Sequence, residues 1–281
     1  MAGTARQVHL GRQLRELRKA AGLSLKDAAA RLGKSRASVG HWETGYYRPG
    51  QADLEALLEL YGAVDEVAGH LLQLRKEAAH RGWWEGYKLP SYMSPFLGFE
   101  AEAAEKFHFE LGVIPGLLQT ADYAGAVSRV GRFRLPEEEH RSWVEARLRR
   151  QERLKPGGGL LLHTVVAEEA LHRVVGSRAI MARQMEHLEK AATLSSVSFR
   201  VVPYEAGAHV AMVGPIIVLR FADGSADDVA LAETPLGGHI LDDVRDVAEL
   251  TRLFAALQAQ ALPEEESLEV VRSIRDEHAA R

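Results

Sequence analysis

Ten lysine and arginine side chains crowd the first fifty residues of this 281-residue chain: Arg6, Arg12, Arg15, Arg18, Lys19, Lys26, Arg31, Lys34, Arg36 and Arg48. Only Glu16, Asp27 and Glu43 oppose them. Cations at that density do one kind of chemistry well, which is to neutralise the phosphates of a polyanion and release its counterions. The whole chain carries −4, so the +7 on residues 1–50 leaves −11 on residues 51–281. A basic block on an acidic remainder is the distribution expected when one segment meets phosphate and the rest does not.

Other chemistry finds less support. There is no cysteine, which removes disulfides, thiol nucleophiles and cysteine-bound zinc. Twelve histidines are present, but no HExxH motif occurs, and His163, His172 and His187 are spaced 9 and 15 apart on different elements. No GxSxG elbow is present. Gly157, Gly158 and Gly159 run straight into an apolar stretch without the lysine and helix that a phosphate loop needs. No catalytic residue, metal ligand set or cofactor site is identified, and the expectation is a protein that is not an enzyme. Trp83, Trp84, Tyr87, Tyr92, Phe96 and Phe99 fall in a short stretch with two prolines. They could line a ligand pocket or stack on nucleotides; anchoring a linker against the next domain is the favoured reading. The N-terminal sequence lacks the apolar core of a signal peptide, and no window approaches ~18 apolar residues. A cytoplasmic protein without a membrane partner is expected.

The elements that must position the basic block are short helices with tight punctuation. Leu10, Leu14 and Leu17 give a first helix one stripe, closed by Gly22. Ser24 caps a second helix, with Asp27 completing a capping box, and Ala28, Ala29 and Leu32 face inward. Gly33 turns the chain, and Ser35 caps a third helix over Arg36 to Thr44 with Val39 and Trp42 inward. Gly45 and Pro49 end it, and Gln51 to Tyr61 forms a fourth. Helix, glycine turn and helix at this spacing is a helix-turn-helix.

The segment GLSLKDAAARLGKSRASVGHWETGYYRPG resembles the Xre-type, lambda-repressor-like helix-turn-helix, over about residues 9–62. That resemblance implies double-stranded DNA as partner and a third helix entering the major groove N-terminus first. It places Arg36 on a guanine, Ala37 on a thymine methyl, and Ser38 and His41 on bases or backbone. Lys34, Ser35, Tyr47 and Arg48 would hold phosphates, and Lys26 would stand in where Leu25 replaces the family's frequent glutamine. Arg18 and Glu43 occupy the positions of a partly buried ion pair that fixes the recognition helix. Gly40 departs from the pattern by removing a side chain from the groove face.

Beyond this region, helical periodicity covers about 65–82, 99–111, 120–130, 136–154, 178–193, 243–260 and 266–279. Strand-like runs lie at 160–166, 197–203, 214–221 and 228–233. The expected class is α+β: an all-α domain (1–64), a linker helix and aromatic boundary (65–98), and a mainly helical domain with a small β-sheet (99–281). IPGLLQTADYAGA, RLRRQERL, EEALHRVVG and QMEHLEKAA, with GPIIVLRF and ALAETPLGGHILDD, resemble the antitoxin-like C-terminal domain of actinobacterial regulators. That resemblance implies a transcriptional regulator, often beside a small protein partner. A homodimer on a pseudo-palindrome is expected, because one such unit covers little DNA. A protein-binding antitoxin and a small-molecule sensor are the alternatives. A self-cleaving Ser/Lys repressor is disfavoured: Ala206-Gly207 offers the bond, but no lysine follows Lys190.

Overall fold

Leu10 and Leu14 lie fully buried on one stripe of α1 (Ala5–Ala20) and meet the inward faces of α2 (Leu25–Arg31), α3 (Arg36–Glu43) and α4 (Gln51–Tyr61). Ala28 and Ala29 keep α2 slim at its contact with α3, and Val39, Trp42, Leu54, Leu57 and Leu58 fill the centre. α5 (Asp65–Glu77) adds Leu71 and Leu74 to the same core, and α6 (Met93–Glu102) packs on α1, where Arg6 pairs with Glu102 at 3.3 Å.

The computed structural model describes residues 5–77, 82–90, 93–130, 136–222, 227–234 and 237–280. The chain divides into two compact units, Met1–Gly86 with Pro90–Glu102, and Tyr87–Leu89 with Ala103–Arg281. The division at Glu102 replaces the expected ones after residues 64 and 98. α5 belongs to the first core, because four short helices leave an apolar floor that Leu71 and Leu74 complete. Ala78 and Tyr92 lie outside the described residues.

The second unit is built on a six-stranded sheet of β1 (Glu105–Glu110), β2 (Leu161–Ala167), β3 (Val197–Val202), β4 (Ile216–Arg220), β5 (Val229–Thr234) and β6 (Gly237–Leu241), in spatial order β3-β2-β1-β4-β5-β6. β1, β2 and β3 are parallel, which requires crossovers: α7 (Ala121–Val130) and α8 (Glu137–Arg150) make the first, α9 (Glu168–His172) and α10 (Arg178–Ala191) the second. β4, β5 and β6 continue antiparallel. α11 (Val244–Gln260) covers one face through Val247, Phe254 and Leu257, and α12 (Glu264–Ala279) packs on α10 and β3. The class is α+β.

The expected helix over 99–111 is overturned. The Ala/Glu run stops being helical at Glu102, and residues 105–110 form the strand at which the sheet changes from parallel to antiparallel. Phe107 and Phe109 turn towards the α11 side, with Phe107 meeting Phe254 edge-on at 5.5 Å. Lys106, His108 and Glu110 share the other face, and burial pushes the Glu110 carboxyl up to about 7. Pairing on both edges overrides the helix propensity of this segment. The expected helix over 136–154 also ends early, at Arg150, with a single 3₁₀ turn after it.

The three histidines weighed for metal lie apart in kind. His163 bonds Glu105 at 3.0 Å and stacks on Phe107, His172 meets Glu168 at 3.2 Å, and His187 is half-buried on α10, its ring disfavoured as a cation by burial and Lys190. Among the described residues no group of three or more His, Cys, Asp or Glu is arranged to hold a metal ion. No described helix is long and apolar enough to cross a membrane.

Candidate nucleic-acid interface

The turn between α2 and α3 is set by local chemistry. The Ser24 hydroxyl accepts the Asp27 amide at 3.1 Å and the Asp27 carboxylate accepts the Ser24 amide at 3.2 Å, closing the capping box. Donation from the Ser24 hydroxyl, and then from its amide, holds the Asp27 carboxyl below its ordinary range. Gly33, at φ +63°, lets the Lys34 amide reach back to the Ala29 carbonyl at 2.9 Å. Ser35 then starts α3, its hydroxyl accepting the Ser38 amide at 3.0 Å and meeting the Ser38 hydroxyl at 2.8 Å.

α3 is anchored from behind. Arg18 donates from Nε and Nη2 to the two carboxylate oxygens of Glu43, at 2.6 and 2.9 Å, and its Nη1 donates to the Leu23 carbonyl at 2.7 Å. One guanidinium therefore ties α1, the α1–α2 turn and α3 together, and Glu43 is 4% exposed. Arg15 donates to the Glu43 carbonyl at 3.2 Å. Burial and the nearby Glu43 carboxylate hold the Tyr61 hydroxyl above its ordinary range.

The close approach of α1 to the end of α3 depends on two glycines. A Cβ on Gly11 would stand 2.4 Å from the Trp42 carbonyl oxygen and 2.8 Å from the Gly45 nitrogen. Gly45, at φ +68°, fits against the backbone of Val8.

On the outward side, Arg36, Ala37 and His41 are exposed and Ser38 is half-exposed. Arg36 forms no hydrogen bond or ion pair among the described residues. His41 is held by Tyr46 and Tyr47, with ring centroids 5.1 and 5.5 Å away, and the two tyrosines meet edge-on at 4.7 Å. Lys26 and Ser35 are exposed, Ser35 with its hydroxyl engaged in the cap. Lys34 is paired with Asp53 at 2.8 Å and lies 6.0 Å from the centre of the Trp42 ring, so a phosphate would have to share it. Arg48 donates to the Arg75 carbonyl at 3.1 Å while Arg75 returns a bond to the Pro49 carbonyl at 2.9 Å. That reciprocal clasp makes Arg48 a brace between the loop after α3 and the end of α5.

Trp84, Phe96 and Phe99 are buried in the first unit, with Trp83 edge-on to Trp84 at 5.7 Å, while Tyr87 is half-buried in the second. Gly11, Arg15, Tyr46, Asp53 and Arg75 are parts of the site that reasoning from sequence did not single out. Tyr46, next to Tyr47 in a loop after the third helix, was within reach of such reasoning.

Gly40 is half-exposed on α3, and a Cβ there would meet only the Leu25 side chain, at an ordinary 3.6 Å. Gly40→Ala is therefore expected to stabilise the first unit by about 0.5–1 kcal/mol through helix propensity. Urea unfolding of the full chain checks this; a lower midpoint would mean that the space in front of Leu25 is not free.

Residues 9–71 match the family described as a helix-turn-helix domain. Residues 93–273, more than half of the chain, match the family described as a domain of unknown function, DUF5753. Comparison with curated proteins and with solved structures found no match. The helix-turn-helix match supports a DNA-binding regulator, and its residues are those whose geometry is described above. The chain belongs to the DUF5753 family and carries a helix-turn-helix domain in its N-terminal part.

Proposed function

We propose that this protein is a sequence-specific transcriptional regulator that reads a pseudo-palindromic operator as a homodimer, and that its role is binding rather than catalysis. The observation that carries the reading is an exposed face, Arg36, Ala37, Ser38 and His41, on a helix whose far side is locked by the Arg18–Glu43 fork. A recognition helix must be rigid behind and free in front, because base readout requires donors placed to hydrogen-bond accuracy. Arg36, with its guanidinium uncommitted in the first turn of α3, is suited to the O6 and N7 of a guanine.

The inference of two copies rests on size. The eight residues of α3 rise about 12 Å, which covers only three or four base pairs. Two such helices one duplex turn apart would supply the discrimination that one lacks. The arrangement of phosphate contacts is narrower than the basic charge suggests, since Lys34 is shared with Asp53 and Arg48 is used as a brace. Lys26, Lys34 and Tyr47 are the phosphate-side residues of this reading.

Selection of binding duplexes from a random library by the full chain tests it. The expected result is an enriched inverted repeat with half-site centres about ten base pairs apart. Enrichment of a single unrepeated site would contradict the dimer, and no enrichment would contradict the DNA reading.

A further inference from the structure

α3 ends in a reversal that brings three aromatic rings together. Gly45, at φ +68°, turns the chain back, so that its amide bonds the Trp42 carbonyl at 3.2 Å and the Tyr46 amide bonds the His41 carbonyl at 2.9 Å. This is the Schellman pairing of a helix C-terminus. The Tyr47 amide and the Thr44 hydroxyl, each at 3.2 Å, donate to the same His41 carbonyl. The loop is thus wound about one residue, and its next two side chains close on that residue's ring: the His41 centroid lies 5.1 Å from Tyr46 and 5.5 Å from Tyr47. Burial does not account for this packing, since Tyr46 is 41% and Tyr47 50% exposed and His41 is exposed beside them. The His41 ring makes no hydrogen bond among the described residues. An imidazole carries an N–H in either tautomer and as the cation, so this ring offers a donor in each of its forms. It lies one turn beyond Ala37 on the same stripe of α3 and five residues after Arg36. Five residues rise about 7.5 Å, roughly two base-pair steps, so the two side chains can reach different base pairs.

We infer that Tyr46 is a positioning residue for base readout: with Tyr47 it holds the His41 ring so that a ring N–H donates to N7 of a purine, a base other than the one Arg36 reads. N7 is the major-groove acceptor that adenine and guanine share. A freely rotating histidine would have to be ordered on binding, at a cost of about two- to tenfold in affinity. The two tyrosine rings order it beforehand. The inference rests on the DNA reading proposed above and deepens it by naming a second base contact and the residue that aims it.

A 7-deazapurine keeps its base pairing and loses only the N7 acceptor. The full chain is titrated with the duplex that it selects, each purine being replaced in turn by its 7-deaza analogue. Two positions in a half-site are expected to lose about fivefold in affinity, the worth of one hydrogen bond. The loss at one should vanish in Arg36→Ala, and the loss at the other in His41→Ala. Tyr46→Ala should abolish the His41-linked loss and keep the Arg36-linked one, which shows that α3 is still docked. Tyr46→Phe, which keeps the ring, should retain both. A selected duplex that shows no His41-linked loss, or a Tyr46→Ala protein that retains it, would overturn the inference while the DNA reading stands. Selection of no duplex at all would overturn both.

Discussion

Arg18→Ala is expected to destabilise the first unit by about 3–5 kcal/mol, the usual cost of stripping one partner from a buried ion pair. The geometry puts the loss at the high end. Glu43 is 4% exposed, so its carboxylate stays in the protein without the two short bonds that compensate its desolvation. Arg15 cannot replace them, since its Nε lies 4.0 Å from the Glu43 carboxylate and it is far more exposed. The Leu23 carbonyl loses its donor in the same step. Arg18→Lys should recover only part of the loss, because a point charge cannot make the fork. Arg18→Met combined with Glu43→Leu should recover most of it, since no buried charge is then left behind. Three of the four tryptophans (Trp42, Trp83 and Trp84) lie in the first unit, so fluorescence-detected urea unfolding of the full chain reports on it. A single variant within about 0.5 kcal/mol of the unaltered protein would mean that the pair contributes little, as exposed pairs do.

Gly11→Ala should be the other severe change, from the addition of one methyl group. Alanine favours a helix over glycine by about 1 kcal/mol, so in an open helix this substitution would stabilise. Here the methyl meets the Trp42 carbonyl oxygen at 2.4 Å and backbone atoms of Glu43 and Gly45 within 2.9 Å. None of these can rotate aside, so α1 must move off the end of α3. Overpacking of this kind typically costs about 1–3 kcal/mol, and it also tilts the recognition helix. The expected signature is lower stability together with weaker DNA binding, whereas Gly40→Ala raises stability. A Gly11→Ala protein as stable as the original would show that the helices are not held at this separation.

These two positions also show what a sequence can disclose. Ser24 with Asp27, Gly33 and Ser35 are local signals, each satisfied within five residues, and their capping bonds are present in the fold. The Arg18–Glu43 pair spans 25 residues and was suggested only by family resemblance. Nothing local marks Gly11, because its constraint comes from the backbone of another helix. The clasp between Arg48 and Arg75 leaves no mark in the sequence, because its acceptor is a carbonyl, which any residue type can supply. The strand β1 was hidden by helix-forming alanines and glutamates before it, and its partners lie some 55 and 110 residues away in sequence. α5 reads as a linker helix from sequence because nothing local shows that Leu71 and Leu74 complete a distant core.

The central claim is that the free face of α3 reads DNA, and Arg36→Ala tests it most directly. Arg36 is exposed and forms no hydrogen bond or ion pair among the described residues, so its removal should leave the unfolding midpoint unchanged. On the duplex selected by the full chain, affinity should fall at least tenfold, from a bidentate contact worth about 1–3 kcal/mol. Discrimination should relax at one base pair in each half-site and persist at the others. Unchanged affinity and unchanged base preference in a folded Arg36→Ala protein would contradict the account.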